Sequence, residues 1–151
     1  MRLTSFSDYA LRLAMYVASQ NGRVVTIEEV AATFGISRTH LTKVANQLTR
    51  DGYLLAVRGR SGGLRLARAA SEIRVSDIIR STEPDFALVE CFGADNHCIV
   101  TPSCRLRGIL GQALSAFHGV LEKYTLDDLL LETSDFTPDL DLRIKRVFGA
   151  R

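Results

Sequence analysis

Three thiols fall within fourteen residues of this chain, in "CFGADNHCIVTPSC", and no cysteine occurs elsewhere. Cys91, Cys98 and Cys104 are separated by six and five residues, without the paired C-x-x-C knuckles of common zinc sites. An odd number of cysteines in a chain with no secretory signal points towards metal or redox chemistry rather than a disulfide framework. On a loop, the three sulfurs are able to converge on one point. Zinc could take them together with His97, but His97 adjoins Cys98, and neighbouring residues seldom chelate one tetrahedral ion. Iron–sulfur clusters accept wider spacing, because each thiolate binds a different iron. The residue types alone leave both open.

A second chemistry is electrostatic. The net charge of +2 is unevenly spread. Residues 1–83 carry twelve Lys/Arg against seven Asp/Glu, whereas residues 84–151 carry seven against ten. Within Ser37 to Arg68 the count is seven to one, the footprint of a surface that meets a polyanion. No stretch approaches the roughly 18 to 20 apolar residues of a membrane span. Charges at Arg2, Asp8 and Arg12 interrupt any signal-peptide core, so a cytoplasmic location without membrane attachment is expected. Ser, His and Asp residues show no arrangement suggesting catalysis, so an enzyme is not expected; an electron-transfer protein using a cluster is the rival reading.

The elements that must position these groups follow from periodicity and caps. Residues 5–19 read as a helix with Phe6, Ala10, Leu13 and Val17 on one stripe and Thr4 or Ser5 as N-cap. A second helix begins at Thr26, with Glu29 three residues on as a capping box, and ends at Gly35. Ser37 caps a third helix, whose buried stripe is Leu41, Val44 and Leu48 and whose end is Gly52. Two short helices joined by "FGIS" form a helix-turn-helix. "YLLAV" and "LRLAR" around the turn "RGRSGG" then predict a β-hairpin, which makes the arrangement a winged helix.

In that arrangement Ser37, Arg38, Thr39, His40 and Lys43 open the recognition helix, where side chains meet base edges in the major groove. Arg58, Arg60 and Ser61, with Gly62 and Gly63, form a wing suited to phosphates. "VSDIIRST" predicts another short helix, starting at Ser76 or a neighbour. From Arg105, Leu106, Ile109, Leu110, Ala113, Leu114, Phe117 and Leu121 recur at helical steps, a long amphipathic helix expected to pair two copies of the chain. "TLDDLLLE" adds a helical turn or two. The predicted class is mainly α with a small β-hairpin: a winged helix-turn-helix domain at 1–83, a cysteine loop at 84–104, a dimerisation helix region at 105–132 and a loosely ordered tail at 133–151.

"LTSFSDYALRLAMYVA", "VRGRSGGLRLAR" and the cysteine loop running into "CRLRGILGQAL" together resemble the Rrf-type iron–sulfur winged-helix regulators, over roughly Met1 to Leu130. "VECFGADNHCIVTPSCRL" and "YTLDDLL" resemble the nitric-oxide-sensing repressors of that family. Regulators of iron–sulfur assembly in the same family carry a histidine ligand three residues after the last cysteine, where this chain has Arg107. The resemblance therefore implies a 4Fe-4S cluster on Cys91, Cys98 and Cys104, with Asp8 as carboxylate ligand, in a homodimer on double-stranded, palindromic operator DNA. It further implies that nitric oxide displaces ligands and releases the DNA. A regulator of assembly or iron status, or a winged helix with structural zinc, are the alternatives. On a helical wheel Asp8 lies opposite the Phe6–Val17 stripe, beside Arg12 and Met15. Facing outward, it is expected to reach the cysteines of the partner subunit.

Overall fold

A computed structural model describes residues 2–136 of the chain. Helix α1 (Ser5–Ala18) starts at Thr4, whose hydroxyl accepts from the Ser7 N–H, so Thr4 is the N-cap. Ala10, Leu13 and Val17 are buried as the stripe requires, and Ser7, Ala14 and Tyr16 widen the buried face. Helix α2 (Ile27–Phe34) is capped by Thr26, which accepts from the Glu29 N–H. It stops at Gly35 in the left-handed region, φ 66°, where an L side chain would be strained. Ser37 precedes helix α3 (Arg38–Arg50), but its side chain makes no capping bond.

Strands β1 (Leu54–Val57) and β2 (Gly63–Leu66) pair antiparallel, with Leu54 opposite Leu66 and Val57 opposite Gly63. An isolated bridge joins Leu64 to Val25, through amides at 2.7 and 2.8 Å, and ties the hairpin to the segment before α2. Helix α4 (Val75–Thr82) has Arg74 as its N-cap residue; Ser76 lies inside it, buried, with no hydrogen-bond partner for its hydroxyl among the described residues. Helix α1 packs against α3, α4 and β2 at once, so the core around Leu13, Val17, Leu41, Val44, Leu48 and Ile78 is organised on it.

Helix α5 (Arg105–Leu121) has the predicted length but contributes no buried residue. After it the chain returns to the first domain. Thr125 bridges Arg74, the Leu126 amide donates to Ile73, and Leu126 is completely buried. "TLDDLLLE" therefore holds one 3-10 turn, Asp127–Leu129, rather than further α-helix. The expected loose tail is likewise corrected at its start. Thr133–Phe136 is a 3-10 turn, and Phe136 packs edge-on against Tyr16 and Phe34 at 4.8 and 6.1 Å. Residues 137–151 lie outside the described residues.

The capping box at Glu29 is the lesser part of its bonding. Its carboxylate is taken mainly by a fork from Arg23, at 2.5 and 3.0 Å, and by the Tyr16 hydroxyl at 2.6 Å, with the Thr26 backbone a minor partner. The Arg23 hydrogen bonds hold Glu29 down from the ordinary 4.5 to about 2, assisted by Tyr16 and against partial desolvation. A carboxylate whose pKa is lower folded than unfolded stabilises above the unfolded value and loses that contribution as pH falls through the folded one. Wild-type stability is therefore expected to drop between about pH 4.5 and pH 2. Glu29→Gln should flatten that portion of a denaturant-midpoint profile; an unchanged slope contradicts the assignment.

Candidate metal loop and nucleic-acid interface

The cysteine loop leaves α4 at Glu83 and enters α5 at Cys104, with 3-10 turns at Glu90–Phe92 and Thr101–Ser103. All three cysteines are free and half-buried. Cys91 sits within the first turn, and Cys104 is the N-cap residue of α5. Between them, the Cys98 amide donates to Asn96 Oδ1 at 3.1 Å and its carbonyl accepts from Thr101 Oγ1 at 2.8 Å. Phe86 meets the His118 ring edge-on at 4.4 Å and fastens the loop to α5. Arg107 Nε donates to the Cys91 carbonyl at 3.3 Å, so this residue anchors the loop and places a cation beside it.

Among the described residues, no three His, Cys, Asp or Glu side chains come together at metal-binding distance within one chain. His97 Nδ1 lies 3.1 Å from the Asp95 carbonyl. Asp8 is 44% exposed and held by Arg12 one helical turn away, in an ion pair of 3.0 Å. Asp8 faces outward as the helical wheel predicts, and the structure gives it the exposed Arg12 as partner. Three free thiols, one at a helix N-terminus, are a donor set that fits an iron–sulfur cluster.

The other candidate surface is the basic face. Ser37, Arg38, Thr39, His40 and Lys43 are all exposed along the opening turns of α3. Two of them have intramolecular partners that the sequence reading missed. Arg38 forms an ion pair with Glu28 of α2, and His40 lies stacked against Tyr9 of α1, with centroids 6.2 Å apart. The α2–α3 pairing follows from the helix-turn-helix crossing, which no local pattern encodes.

Arg58, Arg60 and Ser61 are exposed at the wing tip, where Gly59 has φ 109°. Gly62 and Gly63 have an internal reason to be glycine. A Cβ on Gly62 would lie 2.6 Å from the Val57 carbonyl, and one on Gly63 would lie 2.4 Å from the Val25 carbonyl.

Two helices joined by the turn at Gly35, followed by a basic hairpin, define a winged helix-turn-helix protein of the DNA-binding regulator class. Residues 3–132 match the Rrf2 family model, described as iron-dependent transcriptional regulator. The chain belongs to the Rrf2 family and is a transcriptional regulator. It is 45% identical over 133 residues to the HTH-type transcriptional regulator NsrR of Bacillus licheniformis, covering 87% of this chain and 93% of that protein. With the NsrR of Shouchella clausii it shares 44% over 137 residues, 89% and 92% of the two chains. Among solved structures, CymR, the global cysteine regulator of B. subtilis, superposes with a TM-score of 0.70 at 24% identity, over 85% of this chain and 95% of its own. T. potens IscR gives 0.64 at 25%, over 85% of each.

The wing supplies a test of its own packing. Gly63→Ala forces β2 away from Val25 and should lower stability by about 1 to 3 kcal/mol. Chemical denaturation measures this; a midpoint equal to wild type would show that the Val25–Leu64 bridge yields without cost.

Proposed function

We propose that the chain is a homodimeric repressor that binds palindromic operator DNA and senses nitric oxide through a 4Fe-4S cluster. Cys91, Cys98 and Cys104 of one subunit would hold it, with Asp8 of the partner subunit as fourth ligand. The observation that carries this reading is the set of three free, half-buried thiols on one loop of a chain with no other cysteine. Membership of the Rrf2 family, described as iron-dependent, supports iron as the chemistry, and nitric oxide as the signal is what the resemblance to the nitric-oxide-sensing repressors implies. Arg107, bonded to the Cys91 backbone, offers iron no lone pair, which argues against a histidine-ligated assembly regulator.

The dimer reading has its own support. Leu106, Ile109, Ala113, Ala116 and Val120 are all exposed on α5 and recur at alternating steps of three and four. That spacing suits the seam of a two-helix pair, and Leu106, Ile109 and Val120 are more than half exposed in the single chain.

A bound cluster would supply iron reactive towards nitric oxide, and Cys91, Cys98, Cys104 and the partner's Asp8 would hold it, the carboxylate being a weaker ligand than the thiolates. The protein's residues do the rest. Asp8 has to leave Arg12 to ligate, so the Asp8–Arg12 ion pair and Asp8 ligation are competing states of one side chain. Tyr9, next in sequence, carries a change at α1 to His40 on the recognition helix. Arg38, Thr39, His40 and Lys43 face the major groove, and Arg58, Arg60 and Ser61 face phosphates. A hundredfold difference in operator affinity between the two states requires about 3 kcal/mol of coupling.

Anaerobic purification with iron and sulfide assay tests the cluster. Cys98→Ala should fold yet lose most of its iron, because the core lies elsewhere; full cluster absorbance in that variant would defeat the three-thiolate assignment. Mixed dimers test the direction of ligation. An Asp8→Ala subunit is paired with one in which all three cysteines are alanine. Ligation across the interface keeps a wild-type spectrum, since the cysteine-free chain provides its Asp8; ligation within one chain gives the Asp8→Ala spectrum.

The DNA face is tested by charge. Arg60→Ala should weaken specific and nonspecific DNA alike and reduce the salt slope by about one. Glu28→Gln releases Arg38 and should tighten operator binding severalfold. Wild-type affinity of both variants across a salt series would place the interface elsewhere.

A further inference from the structure

A polar cluster joins the start of the cysteine loop to helix α1. Glu83 follows α4 and precedes Pro84, and its carboxylate reaches back to the first turn of α1. It accepts from the Thr4 N–H at 3.0 Å, from the Thr4 hydroxyl at 3.0 Å and from the Ser7 hydroxyl. Ser7 is completely buried, and the hydroxyl of Thr82, 8% exposed, lies 3.0 Å from its oxygen. A carboxylate at a helix N-terminus satisfies orphan amides and the helix dipole together, and buried polar groups so joined have few alternative arrangements. The geometry fixes the first turn of α1 against the root of the cysteine loop.

Asp8 is the next residue after Ser7, and its own amide donates to the Thr4 carbonyl at 3.0 Å. The turn that Glu83 holds is therefore the turn that aims Asp8. We propose that Glu83 is a positioning residue for Asp8, tying the aim of that carboxylate to the loop bearing the same subunit's thiols. The proposal rests on Asp8 as the fourth ligand. Glu83 ligates nothing; its carboxylate is occupied by Thr4 and Ser7. With Asp8 serving the partner's cluster, each Glu83 would link the loop of one site to the ligand of the other, so the two sites of a dimer would respond together.

The test combines a cluster-free and a cluster-loaded readout, with Glu83→Gln and the milder Ser7→Ala as variants. In cluster-free protein, amide exchange at Thr4 should accelerate roughly tenfold in Glu83→Gln, as expected for a lost hydrogen bond to a charged group, and less in Ser7→Ala. In cluster-loaded dimers, Glu83→Gln should lose iron to a chelator several times faster than wild type. Combined with Asp8→Ala it should add nothing further, because its effect passes through Asp8. Unchanged exchange at Thr4, or an undiminished Glu83→Gln effect in the Asp8→Ala background, overturns the proposal. Should Asp8→Ala alone release iron at the wild-type rate, the ligand reading itself falls, and the positioning role with it. That result is read in a protein retaining Glu83, so the two failures are distinguishable.

Discussion

An α-helix begins with amide N–H groups that have no partner within the helix, and something outside it must meet them. At the start of α1 that need is met by Thr4 and by Glu83, a residue 79 positions further along the chain. The consequence is architectural. The helix that organises the winged-domain core is fastened at its first turn to the point where the cysteine loop departs. Its remaining length packs on α3, α4 and β2, so α1 cannot shift at one end without disturbing its neighbours. Interiors this closely packed transmit small displacements rather than absorb them.

This placement puts the two candidate surfaces on one element. Asp8 and Tyr9 are consecutive on α1; the first is paired with Arg12, and the second stacks on His40 of the recognition helix. Charge, not burial, holds Asp8 in the single chain, and an exposed ion pair contributes only about 0 to 1 kcal/mol. Such a pair is readily displaced, and Asp8 lies one residue from the Tyr9 ring that stacks on His40 of α3. Helix α5 holds the other half of the arrangement. Its inner side carries His118, which meets Phe86 and the neighbouring Phe117 ring edge-on, while its outer side offers Leu106, Ile109 and Val120.

Much of this was legible in the sequence because its signals are local. Caps at Thr4 and Thr26, the left-handed Gly35 and the glycine-rich wing each act within a few residues. The basic block and the thiol spacing are likewise readable without coordinates. What escaped depends on distant pairs. Leu126 reads as part of an amphipathic run, yet its burial comes from pairing with the strand-like backbone at Ile73 and Arg74. Phe136 looks like tail but completes an aromatic cluster with Tyr16 and Phe34. Glu29 caps α2 as its spacing implies, but its main partners are the Arg23 fork and the Tyr16 hydroxyl, which no local pattern announces. The clamp by Glu83 and the ion pair of Arg38 with Glu28 have no local signature at all.

The claim on which the account turns is that the state of the cysteine loop and the affinity of the DNA face are one coupled equilibrium. The most direct measurement is operator affinity by fluorescence anisotropy under strict anaerobiosis, on a single preparation before and after stepwise nitric oxide, with absorbance recorded in the same cuvette. The account predicts that affinity falls in step with the loss of the cluster spectrum, by about a hundredfold overall, as a coupling of about 3 kcal/mol requires. An affinity that stays constant while the spectrum is lost would contradict it.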